Sequence, residues 1–260
     1  MGAVTTYAAQ AWAGIRVSLA DRTNFVLQCA GMILNNGFIL VLWFMFFQGF
    51  KTIGGWRMPD MALLIGLLAT VVGAAGAAFG GYRDMAAAIL RGEPDAYLTQ
   101  PKAVLWRMLA RESIVIGWGD LITGLVLLAV FAQVRPGQIG WLVLVLACGT
   151  TVYLSMAVTF ASLAFWVRGA RSFARDLTDF MIMFANYPGS IYSGTAKLVI
   201  YTVFPAGFMV LIPVALLRHP SLERALILAA AAAGYTALAL TVFHLGLRRY
   251  RQGGTAVTAG

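Results

Sequence analysis

Long apolar runs, each nearly free of charge, recur along the chain. Phe25 to Phe47 is broken only by Gln28, Asn35 and Asn36 among strongly polar residues. Met61 to Gly81 and Ile139 to Val167 contain no charged residue, and Ile114 to Val134 contains only Asp120. Ala225 to Leu247 is the last run and is rich in alanine. A helix needs about 20 predominantly apolar residues to cross the hydrocarbon core of a bilayer, so each run predicts a transmembrane helix. In the second, Ala69, Gly73, Ala77 and Gly81 recur every four residues, a stripe on which another helix can pack closely.

The stretch between Arg168 and Arg224 is harder to divide. Leu198 to Leu217 has the length of a span but is broken by Pro205 and Pro213; Leu177 to Gly189 is apolar but carries Asp179 and ends in Asn186-Tyr187-Pro188-Gly189. Lysine and arginine favour the cytoplasmic side of a membrane. With the N-terminus inside and six crossings, most of the 19 lysines and arginines fall on that side. Seven crossings would instead expel Arg248, Arg249 and Arg251. The fifth crossing is therefore expected at about Phe173 to Gly189, followed by a broken segment that re-enters from outside as far as Leu217. Such irregular backbone is tolerated at membrane depth only against protein or a cavity. This makes Tyr187, Pro188 and Pro205 candidates for a gate. A crossing at Leu198 to Leu217 is the alternative.

Composition agrees: 60% of residues are hydrophobic and 11% charged, against about half and a quarter in a soluble domain. The net charge of +9 is assigned to loops at an anionic leaflet rather than to nucleic acid. Residues 1–24 lack the basic, apolar, small-residue order of a cleaved signal. Trp12, Ile15 and Leu19 share a helical face opposite Arg16, Asp21 and Arg22, predicting an amphipathic helix on the membrane surface. Cys29 and Cys148, both inside apolar runs, read as small apolar filler.

One charged segment separates the second and third runs. Tyr82 to Ser113 opens with Arg83 to Arg91, rich in helix formers, which Gly92 and Pro94 terminate. A second amphipathic run, Leu105, Trp106 and Leu109, follows Pro101. The sequence Gly92-Glu93-Pro94-Asp95-Ala96-Tyr97-Leu98-Thr99-Gln100-Pro101 is similar to the glycine, acidic, tyrosine-leucine, proline pattern after the second crossing of ABC-2 type exporter permeases, with Glu93-Pro94 in place of an apolar residue. Tyr187-Pro188, Phe204-Pro205-Ala206 and Ile212-Pro213 resemble the broken outer segment of the same family. The resemblance covers the whole chain in length and order of parts. It implies an all-α integral membrane fold. Its parts are six transmembrane helices, an N-terminal amphipathic helix, a cytoplasmic coupling helix between helices 2 and 3, and a re-entrant outer segment before helix 6. By the same resemblance residues 1–260 are expected to form a single transmembrane domain, with 82–113 as the cytoplasmic coupling loop within it. The resemblance further implies a bacterial inner-membrane location with both termini cytoplasmic, and a second permease subunit, identical or not. The coupling helix would dock on a separate ATP-binding subunit, which alone would bind ATP and magnesium. Arg83, Asp84, Arg91, Glu93, Asp95 and Tyr97 are the expected coupling residues, by charge pairing and by Tyr97 as an anchor.

The remaining motifs weigh little. The chain has no G-x-x-x-x-G-K-[ST], so any ATP-driven work must come from a partner. Gly117-Trp118-Gly119-Asp120 spells a protease-like G-x-G-D, but no second aspartate lies on the preceding run to share a proton. Asp120 is expected to pair with a polar group inside the bundle or to line the pathway. His219 and His244 are isolated, Ser113, Ser155, Ser162 and Ser172 lack a nucleophile context, and most tryptophans sit near run ends as interfacial anchors. The reading from a different class is an ion-coupled transporter or channel using Asp120 or Asp179.

Overall fold

The computed structural model describes residues 12–17, 20–98, 104–131, 134–167 and 169–257. Leu19 and Thr99 to Pro101, on which part of the sequence reading rests, lie outside them. In chain order the helices are α1 (Arg22–Gly49), α2 (Met58–Phe79), α3 (Met85–Leu90), α4 (Asp95–Leu98), α5 (Val104–Ala110) and α6 (Val115–Val130). They continue with α7 (Ile139–Ser162), α8 (Ala170–Ala185), α9 (Gly194–Thr202), α10 (Ile212–Arg218) and α11 (Leu222–Val257). A π-helical stretch, Gly207–Leu211, leads into α10.

Among the described residues, four helical stretches are long and apolar enough to cross a membrane: Arg22–Gly49, Met58–Leu90, Pro136–Phe165 and Leu222–Gln252. Two pairs, Val104–Ala110 with Val115–Val130 and Gly194–Thr202 with Gly207–Arg218, qualify only when joined, and each is bent by 78° at its break. The fold is thus a multi-span α-helical bundle.

Helix α2 is its axis and is buried along most of its length. Its contact with α6 is nearly backbone to backbone. A Cβ on Gly73 would meet Leu121 Cα at 2.7 Å and Gly117 O at 2.8 Å, and one on Gly76 would meet Gly117 Cα at 3.2 Å. One on Gly124 would meet Thr70 N at 2.5 Å. Small residues let the helices approach so closely, and dispersion across the seam does the work that water exclusion does in soluble proteins. The expected stripe holds: Ala69, Gly73, Ala77 and Gly81 are all buried. Its partner glycines on α6, Gly117 and Gly124, were not anticipated.

Helix α1 starts at Arg22, where the Asp21 carboxylate accepts the Asn24 N–H at 3.0 Å. It buries only Cys29, Asn36 and Trp43, spaced seven residues apart, and so meets the bundle along a narrow line. Residues 12–17 are helical, as the N-terminal pattern predicts. Gly14 packs on the backbone of Glu112 and Ser113, and Arg16 stacks 5.5 Å from the exposed Trp12 ring.

Over the expected fifth crossing, Phe173 to Gly189, the chain forms the helix Ala170–Ala185, which is not among the candidate spans, whereas the alternative, Leu198 to Leu217, falls on the bent pair Gly194–Thr202 with Gly207–Arg218. The 16 residues of α8 measure about 24 Å. It carries Arg171, Arg175, Asp176 and Asp179, which is why length and apolarity do not single it out. Contacts fix where its ends lie. Near its start Arg175 reaches Asp84; just beyond its end the Tyr187 ring meets Trp43, close to the end of α1. Ser190 then abuts Gly54 in the α1–α2 loop. The chain turns back through α9, and Phe204 packs on Phe160, Phe180 and Phe184. After buried Pro205 it returns, and Arg218 pairs with Asp60 at the start of α2. The segment from Tyr187 to Arg218 therefore leaves and rejoins the same end of the bundle.

Candidate functional site

The charged segment folds into a compact knot. Helix α3 ends in a Schellman turn: Gly92 N–H bonds to Ile89 O at 3.1 Å and Glu93 N–H to Ala88 O at 3.1 Å. Gly92 takes φ +76°, a left-handed conformation natural to glycine, and a Cβ there would also lie 3.3 Å from the Tyr250 hydroxyl. This turn brings Glu93 back beside Asp84.

Two carboxylates and three guanidiniums meet there. Asp84 accepts from Arg91 at 2.7 Å, Arg111 at 3.2 Å and Arg175 at 3.3 Å. Glu93 accepts from Arg91 Nε at 2.8 Å and from Arg111 Nη1. Arg175 Nε also donates to Arg83 O at 3.4 Å. Hydrogen bonds to Asp84 and Glu93 hold the Arg91 pKa above its ordinary value, so its charge is constant at any physiological pH. Arg107 stacks 4.7 Å over the Tyr97 ring, and the Tyr250 hydroxyl bonds to Asp95. The α3–α4 turn is thereby tied to the α5–α6 corner through Arg107 and Arg111, to α8 through Arg175 and to α11 through Tyr250.

Of the six expected coupling residues, the structure gathers Asp84, Arg91 and Glu93 into this internal cluster. Arg83 and Asp95 are exposed, and Tyr97 is half-buried under Arg107. The sequence reading missed Arg107, Arg111, Arg175 and Tyr250. Arg111 lies in the same charged segment, but nothing local marks Arg175 or Tyr250. Beside the cluster, a cavity of about 270 Å³ is lined by Tyr82, Arg83, Tyr153, Arg175 and Asp179. In its wall the buried Tyr82 and Tyr153 hydroxyls lie 2.9 Å apart.

The four pathway candidates do not form one site. Buried Asp120 accepts from Asn36 Nδ2 at 2.8 Å, which joins α6 to α1. Tyr187 faces Trp43, buried Pro188 opens a turn through the Ile191 N–H, and Pro205 sits in the break between α9 and the π stretch. Asp120→Asn should preserve the pair, because an amide also accepts. Asp120→Leu strands the Asn36 amide and should cost about 1–2 kcal/mol of stability in a thermal melt of the detergent-solubilised protein.

Among the described residues no group of three or more His, Cys, Asp or Glu could hold a metal ion. No curated protein and no solved structure matches the chain. Residues 33–254 match the family described as "ABC-2 family transporter protein". That match takes in most of the chain, from α1 through the Asp84–Arg111 knot and the bent α9–α10 segment to α11, and the chain belongs to the ABC-2 family of transporter permeases.

Proposed function

We propose that this chain is the membrane subunit of an ATP-driven exporter, working as a dimer of permeases on a separate cytoplasmic ATPase. The observation that carries the reading is the bracing of the α3–α4 turn. A force on this turn is delivered at once to the α5–α6 corner, α8 and α11 through charge-assisted bonds, which are stiffer and stronger than neutral ones. In this reading Arg83, the outer edge of Arg91, Asp95 and Tyr97 face the ATPase, while Asp84 and Glu93 hold the lever rigid behind them. ATP and magnesium bind on the partner. Nucleotide-driven closure of that partner moves the turn and, with it, the helix ends.

The same reading assigns six crossings: α1, α2, α6, α7, α8 and α11. The segment from α9 to α10 is a re-entrant hairpin, supported by the contacts of its two ends with Trp43 and Asp60 at one end of the bundle. Both termini and the charged knot then share the cytoplasmic side of a bacterial inner membrane, in keeping with the distribution of lysine and arginine. The pathway lies between two permease subunits, and Tyr187, Pro188 and Pro205 belong to its outer gate.

Affinity purification from native membranes should recover a stoichiometric ATPase, and the Asp95→Ala/Tyr97→Ala double variant should lose it. A folded protein that repeatedly comes down with no ATPase would overturn the exporter in favour of ion coupling at Asp120 or Asp179. In that case Asp120→Asn, rather than the loop variant, would abolish transport.

A further inference from the structure

The end of the bundle opposite the charged knot holds a cavity of about 380 Å³ that the coupling argument does not use. Three separate pieces of chain build it. The α1–α2 loop and the start of α2 bring Arg57 and Asp60, the α6–α7 connection brings Arg135 and Gln138, and the end of α10 brings Arg218 and His219. Its size is that of a small-molecule pocket. The charge around it is unbalanced: three arginines face one carboxylate.

That carboxylate is already engaged. Asp60 Oδ2 accepts the Arg57 backbone N–H at 2.7 Å and lies 2.6 Å from Arg218 Nη2. The Arg57 side chain is 3.8 Å from it and largely exposed. Arg218 is fixed from behind by the Trp56 ring, 4.4 Å from its guanidinium carbon. Gln138 is positioned by donating to Leu217 O and by accepting the Arg135 backbone N–H. Arg135 forms no ion pair among the described residues. Arg218 and Gln138 are thus preorganised, and Arg57 and Arg135 are cations without a full counter-charge at the rim.

We infer that this cavity binds a phosphate ester, held by Arg57, Arg135 and Arg218. Guanidiniums offer forked donors that match phosphate oxygens in pairs, and a site with two charges in excess suits a phosphate better than a neutral polar group. Asp60 keeps Arg218 in place and limits the affinity, so that the ligand can leave. The phosphate ester could be carried by a lipid headgroup, since this end lies at a membrane surface, or by a soluble molecule. The inference does not depend on the ATPase reading.

The full-length protein in phosphatidylcholine nanodiscs would be titrated with glycerol 3-phosphate, with glycerol as the neutral control. In parallel, native mass spectrometry would count the phosphatidylglycerol retained over phosphatidylcholine after extraction from mixed bilayers. At least one arm should show binding, and the Arg57→Gln/Arg135→Gln variant should weaken it tenfold or more. An Arg248→Gln/Arg249→Gln variant at the other end should leave it unchanged. Binding in the first arm alone identifies a soluble ester, and retention in the second alone identifies a lipid headgroup. The inference fails if neither arm exceeds its neutral control. It fails equally if the first variant, melting like the parent, binds as the parent does, or if both variants lose binding alike.

Discussion

Gly73→Leu is expected to prevent the bundle from closing. The new side chain would have to occupy space held by the Leu121 and Gly117 backbone, which cannot rotate away as a side-chain tip can. Overpacking typically costs 1–3 kcal/mol, and against backbone on both sides the cost here should reach about 3 kcal/mol or more. The measurement is the fraction of monodisperse protein after detergent extraction, together with its melting temperature. The contrasting substitution is Gly31→Ala on α1, where an added Cβ meets nothing within 4 Å; it should melt like the parent. If Gly73→Leu proves as stable as Gly31→Ala, the α2–α6 seam is not the tight contact described above.

The second large effect is expected at Asp84. Removing its carboxylate leaves Arg91 and Arg111 on Glu93 alone and takes from Arg175 its ion-pair partner in the cluster. Like charges then push the α3–α4 turn away from α8, which among the described residues reaches the cluster through Asp84 and the Arg83 carbonyl. Hydrogen bonds to charged groups are worth about 1.5–3 kcal/mol, and 1.4 kcal/mol is a factor of ten in an equilibrium. Asp84→Ala should therefore lower transport by about tenfold or more in reconstituted vesicles, while ATP hydrolysis by the bound partner continues. Asp84→Asn, which still accepts but carries no charge, should fall between. Equal loss of transport and of hydrolysis would show that Asp84 supports assembly rather than transmission.

How far these features could be read beforehand depends on whether the cause is local. The spans α1, α2, α7 and α11 follow from long apolar runs, and the end of α3 from Gly92, because hydropathy and backbone preference are written residue by residue. Helix α8 is too short and too charged to stand out by apolarity, and its length along the bundle emerges only from what Arg175 and the residues beyond Ala185 touch. The ion cluster joins residues 18, 27 and 91 positions apart. A charged segment reads equally as a surface for a partner or as an internal brace until the fold brings Arg111 and Arg175 to it. Gly117 was visible, but inside a protease-like motif; its role as the facing half of a glycine seam required α2 beside it.

The glycine seam also constrains the order in which the molecule can be made. Helix α2 leaves the ribosome well before α6 and α7, the helices that cover it, have been synthesised. Until then the backbone at Gly66, Gly73 and Gly76, which carries no side chain of its own, forms a groove open to lipid instead of being covered by α6. A chain stalled before Val130 leaves that groove open in the bilayer, a lasting mark of incompleteness that a membrane protease could read.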